Sequence, residues 1–362
     1  MTCRRAAFAV PGDLMSLTGG YLYDRRLLAA LRARGREVTH IALAGSFPEP
    51  SPADNLDAAQ RLGAVHPQTP VIIDGLALGA MDHAVLRAVS APIVALVHHP
   101  LAEESGLEAG RRDALYRSER ANLALAARVI VTSPHTAALL RVRYAVPAAR
   151  ITVARPGADR PLVRPGADRP AEAVAVARAK PPLLLSVGIA VPRKGHDVLL
   201  RALDQVADRP WQAVIVGSAR DAAHAALLAQ LASDPRLSGR VRLAGRVPAP
   251  VLAQLYSRAS LFALATRYEG HGIVFDEAMV HGLPIVSCAT GAVPDTVAPG
   301  AGLLVPRDDP DAFAAALAKL LDDGELRARM AAASAAGGAT LPRWSATAQC
   351  VDEVLDRVAS SG

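Results

Sequence analysis

The chain has 362 residues, of which 51% are hydrophobic, 20% are charged and 4% are aromatic. This length accommodates two ordinary domains with separate cores. Three widely spaced cysteines argue against a disulfide framework or a zinc site. Because aromatic residues are few and do not alternate with basic ones, nucleic-acid binding finds no support.

The net charge of +6 is uneven, since the excess of basic residues lies in residues 1–170. That half could favour an anionic acceptor or a membrane surface. Its densest basic run, 111–128, is interrupted by Asp113 and Glu119, which favours a solvated helix face. The N-terminal apolar stretch is too short for a secretory signal, and no run reaches the roughly 18 apolar residues of a membrane span. We therefore predict a cytoplasmic protein, with peripheral contact at the inner face of the membrane as the alternative.

Short β-like runs alternate with amphipathic helical stretches, which is typical of parallel α/β units. In the first half the predicted strands are Ala6–Val10, Glu37–Gly45, Pro70–Gly75, Pro92–His98 and Arg128–Ser133. In the second half they are Pro182–Gly188, Trp211–Gly217, Val241–Gly245, Leu261–Thr266 and Pro284–Cys288. Each half thus resembles a doubly wound domain, in which ligands bind beyond the carboxyl ends of the strands.

A proline-rich segment between the halves contains the heptad RPGADRP twice, at 155–161 and 164–170. Dense prolines exclude a helix and favour an extended linker. We predict a first domain over 1–160, a linker over 161–172, a second domain over 173–340 and a terminal helical segment over 341–362.

The most informative stretch is RYEGHGIVFDEAM, Arg267–Met279, where a glycine-broken loop runs into an apolar helix. A helix start attracts phosphate through its unpaired N–H groups and its dipole. Glu269 and Glu277 would repel a phosphate but can accept hydrogen bonds from hydroxyls on either side of it. Eight helical residues span about 12 Å, which suits a nucleotide sugar. The alternative makes Glu269 a cap and Glu277 a solvated helix residue.

Several motifs occur in an order that resembles glycosyltransferase family 4. They are the pair Gly19–Gly20, VHHP at 97–100, VPRKG at 191–195, VGSARD at 216–221, EGHGIVFDE at 269–277, GLPIVSCATGAVPDTV at 282–297 and GLLVPRDDPDAFAAAL at 302–317. The resemblance implies an α/β protein of GT-B architecture, with two facing Rossmann-like domains, an inter-domain cleft and a retaining mechanism. It also implies that Leu341–Ser360 returns to the first domain, with Trp344 as an anchor.

The resemblance implies a donor site in the second domain. Lys194 contacts the diphosphate with Arg193 nearby, Glu269 faces the sugar, and Glu277 faces the ribose. Further donor-binding positions are Gly270, His271, Gly272, Ile273 and Val274, and the last three supply backbone N–H groups. Gly217, Arg246 and Val247 are also donor-binding positions, and they frame the base. For His271 an exposed loop position is favoured slightly over a sugar contact. Ile189 stands where many relatives carry a phosphate-binding arginine, so Arg193 or Arg267 takes over or the diphosphate is held less tightly.

In the first domain, Gly19 and Gly20 resemble a flexible loop that closes over the donor, although a lone pair of this kind is usually a turn. His98 matches the family's active-site histidine, while a buried structural histidine is the alternative. His99 and Glu103 are candidate acceptor contacts. No carboxylate–histidine dyad is evident in the sequence, so no nucleophile for double displacement is predicted.

The predicted catalytic set is therefore His98, Lys194 and Glu269, in an enzyme that moves a sugar from a nucleotide diphosphate donor to an acceptor hydroxyl. No metal and no cofactor beyond the donor are expected, because Asp308–Asp309 and Asp322–Asp323 are placed as helix caps. The acceptor could be a small molecule, a glycan or a lipid-linked group. The alternatives are a nucleotide-sugar 2-epimerase and a catalytically silent nucleotide-sugar-binding subunit.

Overall fold

The computed structural model describes residues 4–159 and 180–360. It separates into two compact units, one comprising 1–157 with 342–362 and the other comprising 158–341. The predicted linker over 161–172 and most of the repeated heptad lie outside the described residues. Each unit is a sheet of six parallel strands with helices, so the predicted α/β class is confirmed.

The sheet of the first unit has the strand order β2-β1-β3-β4-β5-β6. Its strands are β1 Arg5–Pro11, β2 Glu37–Leu43, β3 Val71–Asp74, β4 Ile93–Val97, β5 Arg128–Val131 and β6 Ile151–Val153. Successive strands are added on one side of β1 up to β2 and on its other side from β3 onwards, so the topological switch point lies between β1 and β3. Such a switch point is where a doubly wound sheet offers a ligand site.

The first unit has seven helices within the described residues. They are α1 Gly19–Ala33, α2 Pro52–Gly63, α3 Gly75–Leu78, α4 His83–Arg87, α5 Ala109–Leu125, α6 Pro134–Arg143 and the terminal helix Trp344–Ala359. Side-chain caps fix several starts, as where Thr18 accepts from the N–H of Tyr21 at α1 and Ser51 forms a capping box with Asp54 at α2.

The sheet of the second unit has the order β12-β11-β10-β7-β8-β9, which is the Rossmann order. Its strands are β7 Leu183–Val187, β8 Gln212–Val216, β9 Val241–Gly245, β10 Leu261–Leu264, β11 Ile285–Cys288 and β12 Gly302–Val305. Neighbouring residues Leu184 and Leu185 belong to different buried clusters, because successive strand side chains point to opposite faces. The switch point here lies between β7 and β10.

Seven helices of this unit fall within the described residues. They are α7 His196–Gln205, α8 Ala222–Ala232, α9 Ala249–Arg258, α10 Ile273–Val280, α11 Val293–Thr296, α12 Pro310–Asp322 and α13 Gly324–Thr340. Asp309 and Asp323 cap α12 and α13 by accepting backbone N–H bonds. The cap interpretation of these two aspartates is confirmed.

The terminal helix, numbered α14, packs against α1 of the first unit. Asp352 binds the buried Arg36 with Nε 2.6 Å from Oδ1, and Trp344 lies edge-on to Tyr23 with ring centroids 5.5 Å apart. The Cβ that a side chain at Gly157 would need lies 2.2 Å from the backbone nitrogen of Trp344. This segment therefore completes the first unit rather than ending the second.

Two local differences from the sequence prediction stand out. The edge strands β6 and β12 were not predicted. Gly19 and Gly20 were predicted to form a flexible loop, and that prediction is wrong, because both lie in the first turn of α1. The loop between β1 and α1 ends instead at Thr18, whose hydroxyl caps the helix.

Candidate functional site

A lysine and a glutamate meet at the switch point of the second unit. Lys194 follows β7 and Glu269 follows β10, and the Nζ of the lysine lies 2.5 Å from Oε1 of the glutamate. Arg193 stands 3.8 Å from the other carboxylate oxygen, and the hydroxyl of Thr266 donates to Oε1 at 3.0 Å. The two residues separated by 75 positions in sequence thus form one cluster.

A glycine with a left-handed backbone brings the two loops together. Gly195 has φ of 62°, and a Cβ there would lie 1.8 Å from the carbonyl oxygen of Ala265. Only glycine permits this approach. This close contact places the end of the Lys194 turn next to the loop that leads to Glu269. Helix α7 begins directly afterwards at His196.

The charge state of Glu269 is set by its neighbours. The side chain is buried, and burial alone would raise its pKa; the attraction of Lys194 and Arg193, with hydrogen bonds from Lys194 and Thr266, lowers the pKa overall. The carboxylate is therefore ionised at neutral pH. An ionised carboxylate only accepts hydrogen bonds, so it suits the hydroxyls of a sugar.

The loop after Glu269 ends in the start of α10. Gly272 is the N-cap, with φ of 88°, and a Cβ there would lie 2.6 Å from the ring of Phe275. The first N–H groups of a helix have no intrahelical acceptor, so those of Ile273 and Val274 form an anion-attracting end. Gly270 is buried beside them.

The interpretation of His271 as an exposed loop histidine is wrong. Its side chain is buried, and Nε2 lies 2.6 Å from Oδ2 of Asp276, one turn along α10. The hydroxyl of Thr296 also donates to its backbone carbonyl at 2.8 Å. His271 therefore fixes the loop of Gly270 and Gly272 against the first turn of the helix.

Glu277 lies further along α10 and contacts a tyrosine. The hydroxyl of Tyr256 donates to Oε2 at 2.7 Å, and the Tyr256 ring stacks on His281 with centroids 5.1 Å apart. Burial raises the pKa of Glu277 to about 7, although the Tyr256 hydrogen bond acts in the opposite direction. Tyr256 was not among the predicted site residues, since no local motif links it to Glu277.

The predicted base-framing residues follow neighbouring strands of the same sheet. Gly217 directly follows β8, and a Cβ there would lie 1.9 Å from the carbonyl oxygen of Gly188, which directly follows β7. Arg246 and Val247 follow β9, the arginine exposed and the valine packed against a buried cluster. These positions share the carboxyl edge of the sheet with Lys194.

Arg193 and Arg267 were the two candidates to replace the phosphate-binding arginine expected at the position of Ile189, and the structure gives them different surroundings. Arg267 binds Asp197 through two nitrogens, at 3.0 and 2.9 Å, and Asp308 at 2.6 Å. The hydrogen bonds that Arg267 donates to Asp197 and Asp308 raise its pKa, and its charge is matched by two carboxylates. Arg193 lies beside Glu269 and remains the candidate for a second phosphate contact.

A second charged cluster lies at the switch point of the first unit. The Nε2 of His98, after β4, lies 3.0 Å from Oδ1 of Asp24 and 3.3 Å from Oδ2 of Asp74. Asp24 is on α1, and Asp74 ends β3 and caps α3 by accepting the N–H of Leu76. No carboxylate–histidine dyad was evident in the sequence, and the structure brings one together here.

Neighbouring first-unit candidates do not join this cluster. His99 places Nε2 3.4 Å from Glu104, and Glu103 forms an ion pair with Arg143. His99 and Glu103 were predicted as acceptor contacts, and each has a different protein partner here. Of the residues that sequence reasoning missed, Asp74 had a signal, because it ends a buried strand adjacent to the strand that precedes His98.

Within residues 4–159 and 180–360, one group of side chains has the spacing that could hold a metal ion. Asp24, Asp74 and His98 are the group of three whose potential ligand atoms all lie within 4.8 Å of one another. Asp308 and Asp322 bind arginines instead, Arg267 and Arg209 respectively. The hydrogen bonds from His98 to the two aspartates account for the arrangement of the group.

Residues 169–336 match the family model described as Glycosyl transferases group 1. The match covers a little under half of the chain, and over these residues it agrees with the family resemblance found in the motifs. That region includes the cluster of Lys194 and Glu269 and the start of α10.

Part of the chain is also similar in sequence to curated proteins. The chain is 39% identical over 155 residues to a GDP-mannose-dependent monoacylated alpha-(1-6)-phosphatidylinositol monomannoside mannosyltransferase of Corynebacterium glutamicum, covering 40% of this chain and 39% of the relative. It is 36% identical over 189 residues to a D-inositol 3-phosphate glycosyltransferase of Thermobispora bispora, covering 49% and 44%. The chain thus spans less than half the length of these relatives.

Solved structures define the fold. A sucrose-phosphate synthase from Thermosynechococcus elongatus superposes with a TM-score of 0.82 at 24% identity, covering 99% of this chain and 100% of the other. The HepE protein of Anabaena, in complex with UDP and glucose, gives 0.74 at 16%, covering 98% and 100%. The fold is GT-B, with two Rossmann-like domains.

Across residues 4–159 and 180–360, every helix is too short or too polar to cross a bilayer.

Proposed function

We propose that this chain is a retaining, metal-independent glycosyltransferase that uses a nucleoside diphosphate sugar. The observation that carries the proposal is the 2.5 Å contact of Lys194 with Glu269 at the switch point of a Rossmann sheet. An ammonium group beside an ionised carboxylate provides one group for a leaving diphosphate and one for sugar hydroxyls. The relative named as GDP-mannose-dependent supports the same donor class.

In the reaction, the bond between the anomeric carbon and the diphosphate oxygen breaks, and the acceptor oxygen bonds to the same face of that carbon. The acceptor proton passes to the leaving phosphate oxygen. Lys194, Arg193 and the N–H groups of Gly272, Ile273 and Val274 stabilise the negative charge that develops on the diphosphate. Glu269 orients the sugar, and Glu277 accepts from the ribose hydroxyls.

A donor and acceptor panel tests the proposal. Purified protein is incubated with GDP-mannose or UDP-glucose, with and without inositol 3-phosphate or a phosphatidylinositol mannoside, and with EDTA in a parallel set. We expect transfer with the anomeric configuration kept and unchanged by EDTA. Inversion seen by NMR contradicts retention, and loss of activity with EDTA contradicts metal independence.

The same panel distinguishes the proposed transferase from the two alternative functions. An isomerised sugar released without an acceptor indicates the 2-epimerase. Saturable binding of a donor in a thermal-shift assay, with neither transfer nor donor hydrolysis, indicates a silent binding subunit. An Arg209→Ala variant serves as the matched control for the site variants, since Arg209 binds Asp208 and Asp322 at the surface of the same unit.

A further inference from the structure

The His98 cluster combines three elements of the first unit in one buried arrangement. Asp24 is 1% exposed and Asp74 is 3% exposed, yet each directs a carboxylate oxygen to the same ring nitrogen. Carboxylates without a nearby cation or donor are rarely buried, because desolvation of the charge is costly. The position of both oxygens around Nε2 therefore needs a chemical explanation.

The hydrogen-bond donors and acceptors of these three side chains provide that explanation. An ionised carboxylate is only an acceptor, so Nε2 must carry the proton that both oxygens share. Two ionised carboxylates this close repel each other, and either a proton on one of them or a positive charge between them relieves the repulsion. An imidazolium ring satisfies both conditions, and protonation of both nitrogens makes Nδ1 a second donor.

We propose that Asp24 and Asp74 are positioning residues that hold His98 as an oriented imidazolium, so that its Nδ1 donates a hydrogen bond to a substrate oxygen and does not remove a proton. This inference rests on the proposed function, because the substrate oxygen belongs to the sugar or its acceptor. It assigns His98 to charge stabilisation instead of general-base catalysis.

The packing around the ring fixes its plane as well as its charge. A Cβ on Gly20 would lie 3.2 Å from Cδ2 of His98, so the ring rests directly on the first turn of α1. Tyr23 contacts it edge-on with centroids 5.2 Å apart, while the Tyr23 hydroxyl donates to the carbonyl of Ala154. Thr132, after β5, donates to the His98 carbonyl at 3.2 Å.

The titratable groups around His98 come from every element packed on it. They are Asp24 and Tyr23 from α1, Asp74 from β3, and Cys350 of α14, which acts on Tyr23. Burial alone lowers the pKa of His98, but the two aspartates outweigh burial and raise that pKa to about 10. Burial raises the pKa of Asp24 to about 7.

The first test measures the ring directly in the full-length wild-type protein. The ring resonances of His98, assigned with a His98→Gln variant, are followed by NMR across a pH titration. We expect a doubly protonated ring at pH about 8, well above the ordinary imidazole value of about 6.5. A ring that loses its proton near the ordinary value overturns the proposal. This result does not depend on sugar transfer, so it remains decisive if the proposed function fails.

The second test is kinetic and uses Asp24→Asn and Asp74→Asn. Each change should lower kcat by about 10- to 100-fold, because the reacting groups lose their alignment. Since one negative charge is gone, the alkaline loss of activity should also begin at least about one pH unit lower than in wild type. A purely structural role would lower the amount of folded protein without moving this pH profile, and that outcome contradicts the inference.

Matched controls separate the remaining explanations. Asp57→Asn removes a surface carboxylate of the same unit, which binds Arg61 at 2.7 Å, and should leave kcat and its pH profile unchanged. Metal content of the purified wild-type protein is measured in parallel. A stoichiometric ion that disappears in Asp24→Asn would show a metal site and overturn the hydrogen-bonded imidazolium. If both aspartate variants fail to fold, the wild-type titration alone decides.

Discussion

The charged clusters of the two units contain the same chemical types in opposite proportions. In the first unit one cation, His98, lies between two carboxylates; in the second unit one carboxylate, Glu269, lies among Lys194 and Arg193. The two carboxylates raise the pKa of His98 against the opposing effect of burial, and burial together with Asp74 raises the pKa of Asp24. The excess of base lowers the pKa of Glu269.

This difference separates two tasks. In the second cluster the pKa of Glu269 is lowered, so its carboxylate is ionised at neutral pH beside two basic side chains. The first cluster contains an acid whose pKa is about 7, so its proton count changes near neutral pH. We therefore expect the first cluster to determine how kcat depends on pH, and the second cluster to determine whether the donor is held at all.

The largest effect should come from breaking the second cluster. Lys194→Ala or Glu269→Gln should lower kcat/KM by about 100- to 1,000-fold, because each removes a group that acts on charge or orientation in the transition state. Initial rates with the preferred donor measure the loss. Arg209→Ala should stay at the wild-type rate, and near-normal transfer by both site variants would show that the roles are wrong.

The next effect tests the same pair as a stabilising contact. Lys194→Met leaves the buried Glu269 with weaker partners and should lower the free energy of unfolding by about 3 kcal/mol, towards the lower end for a buried pair because Arg193 and Thr266 remain. Adding Glu269→Leu should restore most of that loss without restoring activity. Urea unfolding of the four proteins gives the coupling energy, and additive effects would contradict the pairing.

A smaller effect distinguishes the first cluster from Glu277, a carboxyl of the second unit whose pKa is also near neutral. The Tyr256 hydroxyl lowers the pKa of Glu277, so Tyr256→Phe should raise that pKa above about 7 and reduce the carboxylate available to the donor. For a rise of about one unit the donor KM should increase about fivefold at neutral pH and recover above pH about 9. Tyr116→Phe, which loses a bond to the Arg143 carbonyl in the first unit, is the control. A KM change that is equal at all pH values would rule out this explanation.

The smallest effect uses the adjacent glycines of α1. A Cβ at Gly19 meets nothing within 4 Å, whereas one at Gly20 meets His98 at 3.2 Å. Gly19→Ala should raise the free energy of unfolding by about 0.5–1 kcal/mol through helix propensity, and Gly20→Ala should gain less or lose stability. Thermal unfolding compares the two. Equal gains would mean that the His98 ring does not rest on Gly20.

Hydrophobic periodicity predicted most of the fold because strands buried on both faces are recognisable as apolar runs. The exceptions, β6 and β12, lie at the sheet edges, and β6 has only three residues. Such strands form because a neighbouring strand is already in place, which a local pattern does not contain. The motifs led to Lys194 and Glu269 because both belong to a recognisable family signature.

The remaining site contacts depend on topology or on one loop. Asp24, Asp74 and His98 meet only because β1, β3 and β4 are neighbours in that order, and strand order is not encoded in the spacing of residues. His271 reaches Asp276 because the chain turns sharply at Gly272. A sequence motif shows that a loop is present, but not which of its side chains turns inward.

The discontinuous first unit has a consequence for the order of biosynthesis. Arg36 is buried, and its partner Asp352 belongs to α14, which the ribosome produces only after the whole second unit. Until then the guanidinium lacks this carboxylate, and Tyr23 lacks the Trp344 ring. The unit begun first is therefore completed last, and a fragment ending at residue 157 should be captured by chaperones more readily than one that carries the second unit alone.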